Sequence, residues 1–252
     1  MKDSAEKKRV LMPGGTCELA LCLGTKLIAQ GWTPVLTWRD QTGKRKIESF
    51  YAGMTGQFDT RYLDLSDPSS LESLQAEATE GFAAMVDFAQ GDYESLIAAG
   101  DDDRVRRYIA ENVAARALLL KHVVRGMVRR RRGRLVFVSS SAAALPAAGQ
   151  GYYAAAKIAS EALYKNCGLE LGGKGITSVI LRVGYVSAGR GKAFHDAKPE
   201  AVTRVPLRRT LAVEEVAETL CFLLAPAAEG FNATVLTMDG GLSAGKAEHP
   251  RA

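Results

Sequence analysis

The sequence predicts an α/β fold: a doubly wound parallel sheet of seven strands in a single domain. Three observations predict it. Short apolar runs alternate with helical patterns from end to end, the arrangement that places parallel strands between layers of helix. A glycine turn, Pro13-Gly14-Gly15-Thr16, joins the first apolar run to the first helical stripe. The chain of 252 residues is long enough for one sizeable core and carries no repeat or linker that would divide it.

Taken in order, Val10-Leu11-Met12 forms the first strand. Residues 19–30 put Leu19, Leu23 and Leu27 with Ala20 and Ile28 on one apolar stripe, a helix that Gly31 ends. Pro34-Val35-Leu36-Thr37-Trp38-Arg39 is the second strand. Strand, glycine turn, helix and strand within about 30 residues open a dinucleotide-binding βαβ unit. Residues 40–56 are polar and read as irregular, with Lys44, Arg45 and Lys46 clustered. Arg61-Tyr62-Leu63-Asp64-Leu65 makes a third strand, and Asp67-Pro68 starts a helix that runs to residue 79. Residues 83–89 form a fourth, buried strand. A long helix over residues 103–131 follows, stopped by Gly133. Arg134-Leu135-Val136-Phe137-Val138 is the fifth strand and Ile176-Thr177-Ser178-Val179-Ile180-Leu181 the sixth, with a helix to residue 171 between them. Residues 184–211 read as a long loop rich in Gly, Lys and Arg, the kind that serves as a lid or binding segment. A helix over 213–224 and a strand over 234–238 complete the sheet. Residues 1–8 read as a flexible N-terminus, 9–245 as the domain and 246–252 as a C-terminal tail.

Composition narrows the function class. Hydrophobic residues are 47% and charged residues 24% of the chain, the balance of a globular protein. No apolar run reaches bilayer-spanning length, and the charged start lacks a signal-peptide core, so the expected location is cytoplasmic, away from membrane. Cys17, Cys22, Cys167 and Cys221 lack the paired spacing of zinc or redox sites, and His122, His195 and His249 are far apart; no metal site is expected. The net charge of +5 owes much to Arg129-Arg130-Arg131-Arg132 with Arg134, and no nucleic-acid motif accompanies it.

The candidate chemistry lies in Gly151-Tyr152-Tyr153-Ala154-Ala155-Ala156-Lys157. On a helix, Tyr153 and Lys157 share a face one turn apart. A cation so placed favours phenolate and draws the tyrosine pKa down from about 10, which makes Tyr153 a candidate proton donor or acceptor.

Ser140 lies thirteen residues before Tyr153, and Asn112 twenty-eight before Ser140. With Arg131-Arg132-Gly133-Arg134-Leu135-Val136-Phe137-Val138-Ser139-Ser140, Val213-Glu214-Glu215-Val216-Ala217 and Thr237-Met238-Asp239-Gly240-Gly241, these spacings resemble the short-chain dehydrogenase/reductase family over nearly the whole chain. The resemblance implies a Rossmann-type domain and an Asn112-Ser140-Tyr153-Lys157 tetrad. Tyr153 would protonate a carbonyl oxygen as a nicotinamide delivers hydride. Lys157 would lower the tyrosine pKa and bond the nicotinamide ribose. Ser140, with Ser139 and Ser141 as rivals, would bond the substrate oxygen. Asn112 would hold a relay water. Three family positions are off-pattern: Pro13-Gly14-Gly15-Thr16-Cys17-Glu18-Leu19-Ala20 at the glycine motif, Asp87-Phe88-Ala89-Gln90 after the fourth strand, and Val183-Gly184 after the sixth. Glu18 would repel a pyrophosphate unless it points away, and Asp87 raises a similar concern. By position, cofactor contacts fall on Gly14, Gly15, Thr16, Glu18, Leu19, Arg39, Asp64, Leu65, Ala89, Gln90, Tyr153, Lys157, Gly184 and Val186.

The second strand ends without a carboxylate for a ribose 2′-OH, and Arg39 suits a 2′-phosphate, so NADPH is expected over NADH. The subgroup most resembled is the 3-oxoacyl-[acyl-carrier-protein] reductases. Its carrier contacts, basic residues at the active-site mouth, fall on Arg131 and Lys174, where a basic rim would steer an acidic carrier. Phe194, Val202 and Val205 in the long loop would line an acyl or aromatic pocket. The expected activity is an NADPH-dependent ketoreductase acting on an acyl thioester or polyketide ketone, in a homodimer or homotetramer packed through the helix over residues 113–128, a hetero-oligomer remaining open. Two alternatives stand beside it: a non-catalytic subunit partnering an active homologue, and a nucleotide-sugar reductase or epimerase, suggested by Gly14-Gly15-Thr16 and Leu181-Arg182-Val183-Gly184.

Overall fold

Seven parallel strands, with helices on both faces, appear in the computed structural model, which describes residues 8–54 and 56–245. Residues 1–7 and 246–252, His249 among them, lie outside the described residues. The elements run β1 (Lys8–Met12), α1 (Glu18–Ala29), β2 (Trp32–Trp38), α2 (Gln41–Phe50), β3 (Asp59–Tyr62), α3 (Pro68–Glu80), β4 (Ala84–Asp87) and α4 (Asp102–Ile109). Then come α5 (Arg116–Arg130), β5 (Gly133–Ser140), α6 (Gly151–Leu171), β6 (Ile176–Val183), α7 (Gly189–Ala197), α8 (Val213–Leu224) and β7 (Thr234–Met238).

The strand order is β3-β2-β1-β4-β5-β6-β7. The chain winds outward one way from β1 and the other way from β4, so the topological switch lies between them. Ligands of such sheets sit outside the carboxyl ends of the strands at that switch. Alternate strand residues go to opposite faces. Met12, Leu36, Val86, Val136, Val138 and Leu181 pack with α1 and α8, while Leu11, Val35, Met85, Leu135, Phe137 and Ile180 pack with α3, α5 and α6. Because both faces are covered, the strands read as continuous apolar runs.

Several boundaries differ from expectation. β3 lies at Asp59–Tyr62, ahead of the expected Arg61–Leu65, and β4 stops at Asp87. Lys8 belongs to β1, not to the N-terminal arm. Residues 40–56 contain α2: the Asp40 carboxylate accepts from Gly43 N at 2.7 Å, capping a helix that buries only Ile47. A helix with one buried residue leaves almost no apolar stripe to read. The long helix before β5 is continuous but passes through a π-helical turn, Ala110–Ala115, between α4 and α5. It ends at Arg131, whose φ of 51° is left-handed, not at Gly133, which opens β5 as a buried strand residue. Finally, the stretch 184–211 is not an unstructured loop, since α7 and a 3-10 helix, Pro199–Arg204, occupy much of it.

The basic run also changes meaning. Arg134 is buried, donating to Leu223 O and Ala228 O at 2.5 Å each and to Thr177 Oγ1 at 2.6 Å, so it satisfies carbonyls at the end of α8 and of the 3-10 turn Pro226–Ala228 after it. Arg130 donates to Phe82 O. Two of the arginines are therefore structural.

Candidate active site

The site forms where β1, β4, β5 and β6 end. Gly14 has φ 75°, and a Cβ there would lie 2.8 Å from Ala89 N; a Cβ on Gly15 would lie 2.6 Å from Thr37 N. No side chain fits between this turn and its neighbours, which is why glycine stands there. Gly14 N donates to the buried Thr37 Oγ1 at 3.1 Å, which fixes the turn to β2. The turn delivers the N-terminus of α1, where no side-chain oxygen caps the first amides. The Cys17 thiol is pushed up by burial, against the pull of the Ala20 amide and Lys46.

A cleft of about 720 Å³ opens at this end of the sheet, lined by Glu18, Leu19, Gln90, Ser140, Tyr153 and Lys157 among others. Tyr153 lies in the first turn of α6, and Lys157 one turn on, with its Nζ 5.8 Å from the Tyr153 ring centroid. Lys157 is 3% exposed, donates to Val138 O at 2.9 Å and sits 4.7 Å from the Phe137 ring centroid. A carbonyl and two ring faces thus hold a buried ammonium in place. Ser140 is the last residue of β5, its Oγ accepting from Ala142 N at 3.2 Å. Ser139 directs its hydroxyl to Glu161 Oε1 at 2.6 Å, on the α6 side of the sheet, and Ser141 starts a short 3-10 turn.

Asn112 sits in the π turn, 1% exposed, beneath the cleft and not on its wall. Its Oδ1 accepts from Gly91 N at 2.7 Å and Gln90 Nε2 at 3.1 Å, and its Nδ2 donates to Tyr108 O at 2.9 Å. Its carbonyl accepts from Arg116 Nη1 and from Ser160 Oγ at 3.3 Å. Asn112 therefore ties the segment after β4 to α4 and α5.

Asp87 does not face the cleft as the off-pattern motif suggested. It is fully buried with Arg116: Oδ2 accepts from Arg116 Nε at 2.8 Å and from Tyr164 OH at 2.9 Å, and Oδ1 from Ala89 N at 2.9 Å. Arg116 also donates to Ala89 O and, at 3.0 Å, to Ser160 Oγ. Burial, then the Asp87 charge, holds the Tyr164 phenol well above its ordinary range. Glu18 is exposed at the start of α1 and does line the cleft. Lys192 of α7, held above its ordinary pKa chiefly by its 2.6 Å bond to Asp196, also feels Glu18.

Of the remaining expected contacts, Gly184 and Val186 line the cleft. Gly184 packs so tightly that a Cβ would lie 2.7 Å from Asp239 Cα. Gly14, Gly15, Thr16, Arg39, Asp64, Leu65 and Ala89 do not line it. Arg39 is exposed just past β2, beside Trp38, whose ring lies 5.5 Å from Lys44 Nζ. The Asp64 carboxylate accepts from Ser66 N and Oγ at 2.9 and 2.8 Å. In the segment after β6, Phe194 and Arg204 reach the cleft, whereas Val202 and Val205 do not. Arg131 and Lys174 lie away from this chain's own cleft: they precede Gly133 and Ile176, the paired first residues of β5 and β6. Ser140 is seven residues along β5, roughly 23 Å away at the rise of a strand. Parallel strands put all their carboxyl ends at one edge and all their starts at the other, and these two residues are at the starts.

A nicotinamide dinucleotide fits this seat. The glycine turn presents the first amides of α1, which suit a phosphate, and Gln90, on the cleft wall, has a buried Oε1 without a partner. Sequence reasoning missed Arg116, Glu161 and Arg182. The available signal was a charge inside an apolar strand, Ile180-Leu181-Arg182-Val183, and an acid one turn after Lys157.

Comparison with known proteins agrees with this geometry. A family model described as enoyl-(acyl carrier protein) reductase matches residues 19–243. The chain is 27% identical over 243 residues to the 3-oxoacyl-[acyl-carrier-protein] reductase FabG of Salmonella typhimurium, covering 95% of this chain and 98% of the relative. It is 26% identical over 241 residues to that of Escherichia coli, covering 94% and 98%. Among solved structures, a short chain dehydrogenase/reductase family protein superposes with a TM-score of 0.85 at 27% identity, over 95% of this chain and 98% of that one. The actinorhodin polyketide ketoreductase has the same fold, with a TM-score of 0.87 at 24% identity, over 94% and 97%. With the glycine turn, the cleft at the switch point and the family match over nearly all of its length, the chain belongs to the short-chain dehydrogenase/reductase family of oxidoreductases.

Proposed function

We propose that the protein is an NADPH-dependent ketoreductase that reduces the 3-oxo group of an acyl thioester, or a polyketide ketone, to an alcohol. The observation that carries this reading is the convergence of Tyr153, Lys157 and Ser140 on one cleft beside the glycine turn. A nicotinamide, when bound, would supply the hydride for the carbonyl carbon. Tyr153 gives its phenolic proton to the carbonyl oxygen, and Lys157, fixed 5.8 Å from the ring, stabilises the phenolate left behind. Ser140 donates to the same oxygen as charge gathers on it. The bond of Ser139 to Glu161 supports Ser140 over Ser139 in that role.

The absence of an acid at Trp38 and the exposed Arg39 support NADPH over NADH. Phe194, stacked on Tyr185 at 5.4 Å, and Leu145 and Pro146 give the cleft an apolar end suited to an acyl chain. The names of the relatives support a carrier-bound substrate, and Arg204 is the arginine on this chain's own cleft that would meet its phosphate. Leu118 on α5 and Ile158 on α6, 47% and 50% exposed, support a homo-oligomer packed through those helices.

The test is fluorescence titration with NADPH and NADH, followed by NADPH oxidation with acetoacetyl thioesters, carrier-bound and free. Binding without turnover by any ketone leaves the non-catalytic subunit as the better account. Tyr153→Phe should lower kcat by at least about 100-fold with cofactor affinity retained. Retained turnover would remove Tyr153 as the acid.

A further inference from the structure

Glu161 stands one helical turn beyond Lys157 and two beyond Tyr153, on the same stripe of α6. It is 5% exposed. Its Oε1 accepts from Ser139 Oγ at 2.6 Å and Arg182 Nε at 2.8 Å, and its Oε2 from Arg182 Nη2 at 2.6 Å. Ser139 and Arg182 are neighbours in the β5–β6 register. One carboxylate thus ties α6 to the carboxyl ends of both strands, next to Ser140 on one and two residues before Gly184 on the other. Lys157, through Val138 O, makes the adjoining tie. Together the two ties set the depth of α6 against β5 where Ser140 and Tyr153 must meet one oxygen.

An apolar side chain at position 161 would pack α6 on the sheet without desolvating a charge, and a buried ion pair adds little stability over such a replacement. What the pair adds is a fork of fixed geometry and two opposite charges close to the proton-transfer residues.

We propose that Glu161 and Arg182 are positioning residues for proton transfer: they fix the spacing of α6 and β5 and hold a balanced charge behind Lys157, so that neither adds a net bias to the Tyr153 phenol. The proposal rests on Tyr153 being the proton donor. Other charges about the site are accounted for. On the α5 side Arg116 is paired with Asp87 of β4. Around the cleft lie Cys17 and Glu18 of the α1 turn, Asp92 and Glu94 after β4, and Tyr185 and Arg204 after β6. None of these changes in the variants below.

Tyrosine labelled with carbon-13 at Cζ reports each phenol's ionisation by NMR without cofactor or substrate, and Tyr153→Phe assigns the signal. Glu161→Gln leaves the Arg182 charge unbalanced, favours phenolate and moves the Tyr153 midpoint down. Arg182→Met leaves the Glu161 carboxylate unbalanced and moves it up. Across about 12 Å, two turns of helix, each shift is on the order of half a pH unit. The double variant returns the midpoint toward that of the wild type. In parallel, each single variant lowers kcat severalfold while the NADPH Kd stays within about twofold. Midpoints that stay put, or that move in the same direction in both singles, overturn the proposal whatever happens to turnover. A wild-type protein that binds no nicotinamide and reduces no ketone would sink the reductase reading, and the titration would still decide this one. Should Glu161→Gln fail to fold, Arg182→Met, at a residue whose side chain is 23% exposed, carries the test alone.

Discussion

Asp87→Asn is the most informative single perturbation of the fold beneath the site. It keeps the shape of the side chain and removes one charge of a pair in which both members are fully buried. Arg116 would keep its bonds to Ala89 O, Asn112 O and Ser160 Oγ but lose its counter-charge. Breaking a buried pair from one side costs about 3–5 kcal/mol, because the remaining charge stays desolvated. Tyr164 OH, bound to the same carboxylate oxygen, adds about 1 kcal/mol if its bond weakens. Set against a native stability of roughly 5–15 kcal/mol, this is a large fraction of the total. Arg116→Met should cost a similar amount by stranding Asp87. The double variant should cost several kcal/mol less than the sum of the singles, since neither charge is left behind. Urea unfolding of the wild type, both singles and the double closes the cycle. A coupling energy below about 1 kcal/mol would refute the reasoning, because it would mean that water or relaxation solvates each charge without its partner.

Further outcomes follow from the same geometry. Arg39→Ala should weaken NADPH about tenfold and leave NADH nearly unchanged, measured by fluorescence titration, since one charge-assisted bond to the 2′-phosphate is lost. Burial pushes the Cys167 thiol up to about 11, so its thiolate is scarcer in the folded than in the unfolded chain. Native alkylation of Cys167, read by peptide mass, should be slow at pH 8 and climb with pH toward that value, while the denatured protein reacts readily. Leu118→Lys with Ile158→Lys should shift the sedimentation coefficient toward monomer at micromolar concentration, because the two exposed side chains lie on the helices proposed to pack together.

Much of this molecule is legible from one sequence, for a local reason. The alternation of apolar runs and helical stripes encodes the strands and helices directly, as for α8, whose bounds match the expected 213–224, and β7, which matches 234–238. The glycine turn is legible because only glycine tolerates backbone 2.6 Å from a Cβ position, as at Gly15. Tyr153 and Lys157 are legible because helix periodicity alone places them one turn apart. What sequence could not carry is which polar residues meet across the fold. Arg116 and Asp87 are 29 positions apart, Tyr164 and Asp87 are 77, and nothing local distinguishes a buried arginine from one at the surface. Glu161 looks like an ordinary helix acid until β5 and β6 bring Ser139 and Arg182 to it. Arg131 and Lys174 look like a basic rim until the parallel sheet sets them at its opposite edge. Periodicity determined the elements and the chemistry that fits within one helical turn. The tertiary structure decided the partners of these buried charges, because desolvation forces each one to find a counter-charge or hydrogen-bonding groups wherever the fold supplies them.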